Sequence, residues 1–243
     1  MSLLWLWCPM ITRVLVFQHM DRENPGLYGE FLRAQGAKLD TVMLHRGEAI
    51  PALAPYDMLM VMGGAMDVWE EEAHPWLKAE KEAIREWARF RARPYFGVCL
   101  GHQLLADALG GKVGMAKAQE IGVGTISVKP GHMAVKGLAP TIRMMQWHHA
   151  EVQVPPPGAE VLASSDISPV QIMVAGDCML GTQFHGEFTP AVVQGWADVP
   201  EYVGALEKAL GPGAHGRIVA EDVRADLRQR LALRRVDLAR HDG

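Results

Sequence analysis

Gly97-Val-Cys-Leu-Gly-His-Gln103 follows the short apolar run Tyr95-Phe96 and opens an apolar helical pattern. That order predicts Cys99 on a tight strand-to-helix turn, with a glycine two residues away on each side. A side chain at the apex of such a turn projects off the end of a sheet, and small neighbours let the backbone bend around it. The turn also sets the positive end of a helix beneath the sulfur. That favours the thiolate, which is the nucleophilic form.

Outward from this turn, strands and helices alternate. Arg13–Phe17 is a compact β-type run, followed by a turn-rich stretch through Asn24-Pro-Gly26. Tyr28–Gln35 reads as a helix stopped by Gly36, and Leu39–Leu44 as a second strand. Met58–Met62 is a third, running into Gly63-Gly64. Trp76–Phe90 reads as a helix, because Trp76/Leu77, Ala83/Ile84 and Trp87/Ala88 return on one face with charges between them. After Cys99 the stripe Leu100, Leu104, Leu105, Ala108 and Leu109 marks another.

The alternation predicts an α/β fold with a mostly parallel central sheet flanked by helices. Ligands in such folds bind beyond the carboxyl ends of the strands, so the Gly63-Gly64 loop and the Cys99 turn should share one crevice.

The second half reads as β, with additional strands at Val123–Val128, Ile142–Gln146, Val161–Ala163 and Met179–Phe184 and a rigid break at Pro155–Gly158. Tyr202–Leu210 reads as a helix. Gly211-Pro-Gly213 separates it from a final charged helix bearing Val219, Val223, Leu227 and Leu231. Its arginines form a solvated face; a homo-oligomer contact is the alternative. The expected organisation is a flexible extension over residues 1–10, then one domain over 11–243 whose C-terminal part, from about 200, is helical.

Composition narrows the function. The 243 residues are 49% hydrophobic and 21% charged, with a net charge of −4. That is ordinary for a folded soluble chain and leaves no basic face for nucleic acid. The apolar N-terminus lacks the basic flank of a signal peptide and the length of a membrane span. Three cysteines, Cys8, Cys99 and Cys178, are odd in number and far apart, which points to a reducing cytoplasm rather than a disulfide framework. Cys178, in a short apolar run, reads as a buried structural thiol.

A cysteine nucleophile needs a base, and the base needs an orienting group. Gly181-Thr-Gln-Phe-His-Gly-Glu187 supplies both. At a strand end, His185 and Glu187 point to the same side, so Glu187 can hold one imidazole nitrogen while the other faces the thiol. Taken alone, the spacing equally fits a hydrogen-bonded core histidine. Gln103, four residues after Cys99, shares its helical face and can hold a polar substrate beside the sulfur. Gly63-Gly64 has no Cβ and can aim an N–H at a developing oxyanion; the Leu100 N–H is a second donor. A plain turn is the competing reading of that glycine pair. His148-His149 lack a further ligand at metal spacing, so neither a metal nor a cofactor is expected.

Gly63-Gly64, Gly97–Gln103 and Gln183-Phe-His185-Gly-Glu187, in that order, resemble the class I glutamine amidotransferases. The nearest likeness is to free-standing members akin to the glutaminase domain of GMP synthase. His74-Pro-Trp-Leu77, Glu120-Ile-Gly122 and Trp147-His148 add to it. The resemblance implies a flavodoxin-like three-layer fold and a Cys99, His185 and Glu187 triad. It also implies an oxyanion hole from the Gly64 and Leu100 N–H groups, and substrate contacts at Gln103, Gly63 and His148. The implied substrate is glutamine or a γ-glutamyl compound, cleaved through a Cys99 thioester.

Three departures stand out. The family's Gly-Gly-Pro reads Gly63-Gly-Ala65, its His-Pro-Glu reads His185-Gly-Glu187, and its Trp-His-Gly-Asp reads Trp147-His-His-Ala150. No phosphate-binding loop of the Gly-x-x-x-x-Gly-Lys-Ser/Thr type occurs, so an ammonia acceptor would be served by a separate synthetase polypeptide. A stand-alone γ-glutamyl peptide hydrolase and a non-catalytic module on the same fold are the alternatives. An α/β-hydrolase is disfavoured, because there the acid precedes the histidine along the chain.

Overall fold

The structure is a computed structural model that describes residues 11–91, 93–188, 200–214 and 216. Its centre is a nine-stranded sheet in the order β2-β1-β3-β4-β9-β8-β7-β5-β6. The first half is β1 (Arg13–Gln18), β2 (Lys38–Met43), β3 (Met58–Val61) and β4 (Tyr95–Val98), all parallel. β3 is buried along its whole length and β1 nearly so, as befits parallel strands covered on both faces. The covering helices are α1 (Gly26–Ala34), α2 (Trp76–Glu86) and α3 (Leu100–Ala108). Phe17, Leu59, Leu77, Ile84, Trp87, Leu104 and Leu105 pack into one core with the sheet.

The second half is β5 (Lys112–Val128), β6 (Thr141–Val154), β7 (Glu160–Ser164), β8 (Ile172–Ala175) and β9 (Met179–Thr182). β9 returns to the parallel half and pairs with β4, while β8, β7, β5 and β6 extend the sheet antiparallel. A last described helix, α4, spans Pro200–Leu210.

Several boundaries differ from the sequence reading for physical reasons. β5 begins eleven residues before Val123, at Lys112, because β6 pairs with it along a long two-stranded ribbon broken by register shifts. Gly114, Lys117, Gln119 and Gly122 hide that strand from any periodicity. β8, a fully buried four-residue strand, is too short to announce itself. The helical pattern of Trp76–Phe90 continues past Glu86 as a π-helical turn, Trp87–Arg91. Cys178 is half-buried rather than buried, because it sits in the β8–β9 turn. The expected extension over residues 1–10 and the final helix bearing Val219 to Leu231 lie outside the described residues. Among the described residues no helix is long and apolar enough to cross a membrane.

Candidate active site

Cys99 joins β4 to α3 with φ 50° and ψ −104°, and is the one non-glycine residue with positive φ among those described. Such a conformation costs on the order of 1–3 kcal/mol and persists only where its surroundings over-determine it. Here they do. The Cys99 N–H donates to Thr182 O at 2.8 Å, and the Gly101 N–H to Met62 O at 3.2 Å. A Cβ on Gly101 would overlap the Val61 carbonyl, and one on Gly97 would lie 2.5 Å from Gly101 O. The two glycines let α3 seat directly on β3 and β4, and that close seating forces the bend at Cys99. The Tyr95 hydroxyl donates to Gly101 O at 2.7 Å and pins the turn from below.

The histidine arrives by a different route from the one expected. β9 stops at Thr182, and residues 183–188 leave the sheet. The segment is re-caught by one bridge to β6, in which the His185 N–H donates to Met145 O at 2.9 Å. His185 and Glu187 still meet, with Nδ1 and Oε1 2.6 Å apart and both side chains buried. Phe188 stacks on the imidazole at 4.4 Å. Burial alone would lower the His185 pKa, but Glu187 and the Cys99 sulfur raise it well above the usual value. Its Nε2 is paired to no oxygen or nitrogen of the described residues.

The glycine loop closes the other side. A Cβ on Gly63 would lie 3.2 Å from His185 Cε1, and one on Gly64 2.9 Å from Leu100 Cδ2. Among the described residues, neither the Gly64 nor the Leu100 N–H donates to a protein acceptor. Both backbone donors of the glycine loop and the helix start are thus left without a protein acceptor among the described residues.

Gln103 lies on α3 as expected, but its amide is engaged inside the protein. Its Nε2 donates to Ala150 O at 3.0 Å and to Gln183 Oε1 at 3.1 Å. Gln183, fully buried, in turn reaches Cys99 Sγ at 3.6 Å. His148 also turns inward: Nδ1 is 3.1 Å from Ala150 O, and Nε2 is 3.0 Å from Glu120 Oε2. Its neighbour His149 projects to the opposite face, where it meets Asp67 on the glycine loop at 3.2 Å. Among the described residues no cluster of His, Cys, Asp and Glu could hold a metal ion.

The sequence reading misses four polar residues around this constellation, three of them buried. Gln183 belongs to a recognised motif but carries no role there. His19, at the end of β1, touches Gly63 O, and Glu80 on α2 touches His19. Glu23 packs its carboxylate over Gly63, and burial raises its pKa. A polar residue within an otherwise apolar helix face, as at Glu80, is the signal that could flag the pair.

The family model described as glutamine amidotransferase class-I matches residues 30–194. A subunit of the glutamine-hydrolysing GMP synthase from Sulfolobus acidocaldarius is 33% identical over 151 residues, covering 61% of this chain and 77% of that protein. The glutamine amidotransferase-like protein YfeJ of Salmonella typhimurium is 31% identical over 194 residues, covering 75% and 79%. The crystal structure of a glutamine amidotransferase from Thermotoga maritima superposes with a TM-score of 0.83 at 28% identity, covering 92% of this chain and 95% of that one.

Proposed function

Because the chain belongs to the class I glutamine amidotransferase family, we propose that it hydrolyses the γ-amide of glutamine through a thioester on Cys99. The carrying observation is the His185–Glu187 contact at 2.6 Å beside the bent Cys99 turn and two unengaged backbone N–H groups.

The Cys99 thiol passes its proton to His185 Nε2 as Sγ attacks the amide carbon and forms the C–S bond, and the Gly64 and Leu100 N–H groups hold the oxyanion. The imidazolium of His185 donates its Nε2 proton to the leaving nitrogen. The C–N bond breaks and ammonia departs. Neutral His185 then takes a proton from water, whose oxygen attacks the thioester. Collapse breaks the C–S bond, releases glutamate and restores the sulfur. Glu187 holds the ring and balances its charge throughout. The buried Gln103–Gln183 pair steadies the sulfur from behind.

The likeness to proteins named as GMP synthase subunits supports a separate synthetase as the consumer of the ammonia, in a cytoplasmic setting. A stand-alone γ-glutamyl hydrolase is the second reading. It rests on the His149–Asp67 contact, made by a residue of the segment where the family carries Gly-Asp.

Glutamate release from glutamine and from a panel of γ-glutamyl peptides, with Cys99→Ala as the blank, tests both. Turnover of glutamine above the blank supports the glutaminase reading, and preference for a peptide supports the second. No turnover of either would overturn hydrolysis by this chain acting alone.

A further inference from the structure

We propose that His19, braced by Glu80, is a positioning residue that locks the Gly63–Gly64 peptide with its carbonyl turned away from Cys99 and its N–H turned toward it. The inference rests on Cys99 being the nucleophile of a thioester reaction.

His19 follows the last residue of β1 and is 1% exposed. Its Nδ1 lies 2.9 Å from Gly63 O and its Nε2 2.8 Å from Glu80 Oε1, with both side chains of the His19–Glu80 pair fully buried. Trp76 stacks on one face of the ring at 5.3 Å and 14°. Both partners are acceptors: a carbonyl oxygen and a carboxylate. A neutral imidazole has one N–H and can satisfy only one of them. The imidazolium satisfies both. Burial opposes that charge, but Glu80, the Gly63 carbonyl and nearby Glu23 outweigh it and raise the His19 pKa.

A trans peptide carries its C=O and N–H in opposite directions, and none of the described peptides is cis. Anchoring Gly63 O on His19 therefore drives the Gly64 N–H the other way. A Cβ on Gly63 would lie 3.2 Å from His185 Cε1, and one on Gly64 would lie 2.9 Å from Leu100 Cδ2 and 3.0 Å from His19 Cβ, so this peptide runs between His19 and the Cys99 turn. Flipping the peptide would bring its carbonyl into the oxyanion position. It would also break a charge-assisted hydrogen bond and strand a buried imidazolium N–H. The clamp answers a specific need. Residue 65 is alanine where the family's pattern has proline, so the loop's own φ restraint is weaker. His19 supplies from β1 the restraint that a proline would supply from within the loop.

Two variants separate positioning from support. In His19→Asn the amide nitrogen occupies the place of Nδ1, keeping a donor for Gly63 O while leaving Glu80. In His19→Gln the amide nitrogen occupies the place of Nε2, keeping the Glu80 contact while leaving Gly63 O. Glutamine turnover and thermal melting are measured for both, beside wild type and Glu80→Gln. His19→Gln should lose about 10²–10³ in kcat with little change in KM, the usual cost of one oxyanion donor. His19→Asn should stay within about tenfold of wild type, although it melts lower for having stranded Glu80. Should His19→Asn not fold, the comparison passes to Glu80→Gln, which keeps Nδ1 on Gly63 O and should likewise outperform His19→Gln. Wild-type kcat in a folded His19→Gln would overturn the inference and leave the reaction standing. So would activity that follows melting temperature across the set. An inactive wild type would overturn hydrolysis by this chain acting alone and, with it, the role of the clamp.

Discussion

The Tyr28 hydroxyl occupies the space in which a Cβ on residue 186 would stand. Gly186 therefore separates His185 from Glu187 because α1 presses on that segment from outside. The Leu27 N–H donates to Glu187 O at 3.0 Å, and Gly26, at φ +45°, leaves the same carbonyl room. The proline that the family's pattern carries here would collide with Tyr28, so tertiary contact from α1 takes over the rigidity that a ring would give.

Gly186→Ala should accordingly be destabilising by about 1–3 kcal/mol, the usual cost of overpacking. That corresponds to a fall of several degrees in melting temperature for a chain of this size, roughly 2–4 °C per kcal/mol. Adding Tyr28→Ala should recover part of the loss. A Gly186→Ala protein that melts with wild type would show that Tyr28 yields freely and that α1 does not constrain the pair.

Glu187→Gln should leave the fold intact and lower kcat by about 10²–10⁴, the range associated with a well-oriented general acid–base group. The sign of its pH effect follows from the raised His185 pKa. Removing the Glu187 charge lowers that pKa, so the imidazolium is lost earlier as pH rises. The alkaline limb of the kcat profile should move to lower pH. An alkaline limb that stays in place would separate Glu187 from the charge on His185.

His102, on α3 against Gly181, predicts the acid stability. Burial, helped by nearby His148, lowers its pKa to about 3. The unfolded chain binds a proton near pH 6.5 that the folded chain refuses until about pH 3. Stability should fall as pH drops through that window, by up to ~5 kcal/mol at its lower end. His102→Leu should flatten this part of the profile in urea titrations at pH 7, 5 and 4. An unchanged slope would assign the acid sensitivity to other groups.

Gln103→Leu distinguishes a bridge from a substrate contact. As the link between Ala150 O and Gln183, its loss leaves the buried Gln183 Oε1 unpaired, at about 1–3 kcal/mol of stability. It should also lower kcat, because Gln183 is no longer held against Cys99. A rise in KM alone, with melting unchanged, would instead assign Gln103 to the substrate.

Much of this is legible along the chain because it is local. The Gly97–Gln103 turn, the His185–Glu187 spacing and the apolar runs of the parallel strands depend on neighbours a few residues apart, and backbone sterics translate those spacings directly into geometry. The family resemblance follows from three such local segments in one order. Residues that act across the fold leave no local signal. Glu80 meets His19 from 61 positions away, and Gln103 meets Gln183 from 80. Each is an ordinary polar residue until packing strips its water and leaves one partner. The same holds for the first half of β5, a strand only because β6 lies beside it. Residue order and spacing were enough for the α/β class, for the family, and for singling out Cys99, His185 and Glu187. Packing alone settles how Gly63 is held, why residue 186 is glycine and which way Gln103 and His148 face, because burial and pairing are set by chain segments distant in sequence.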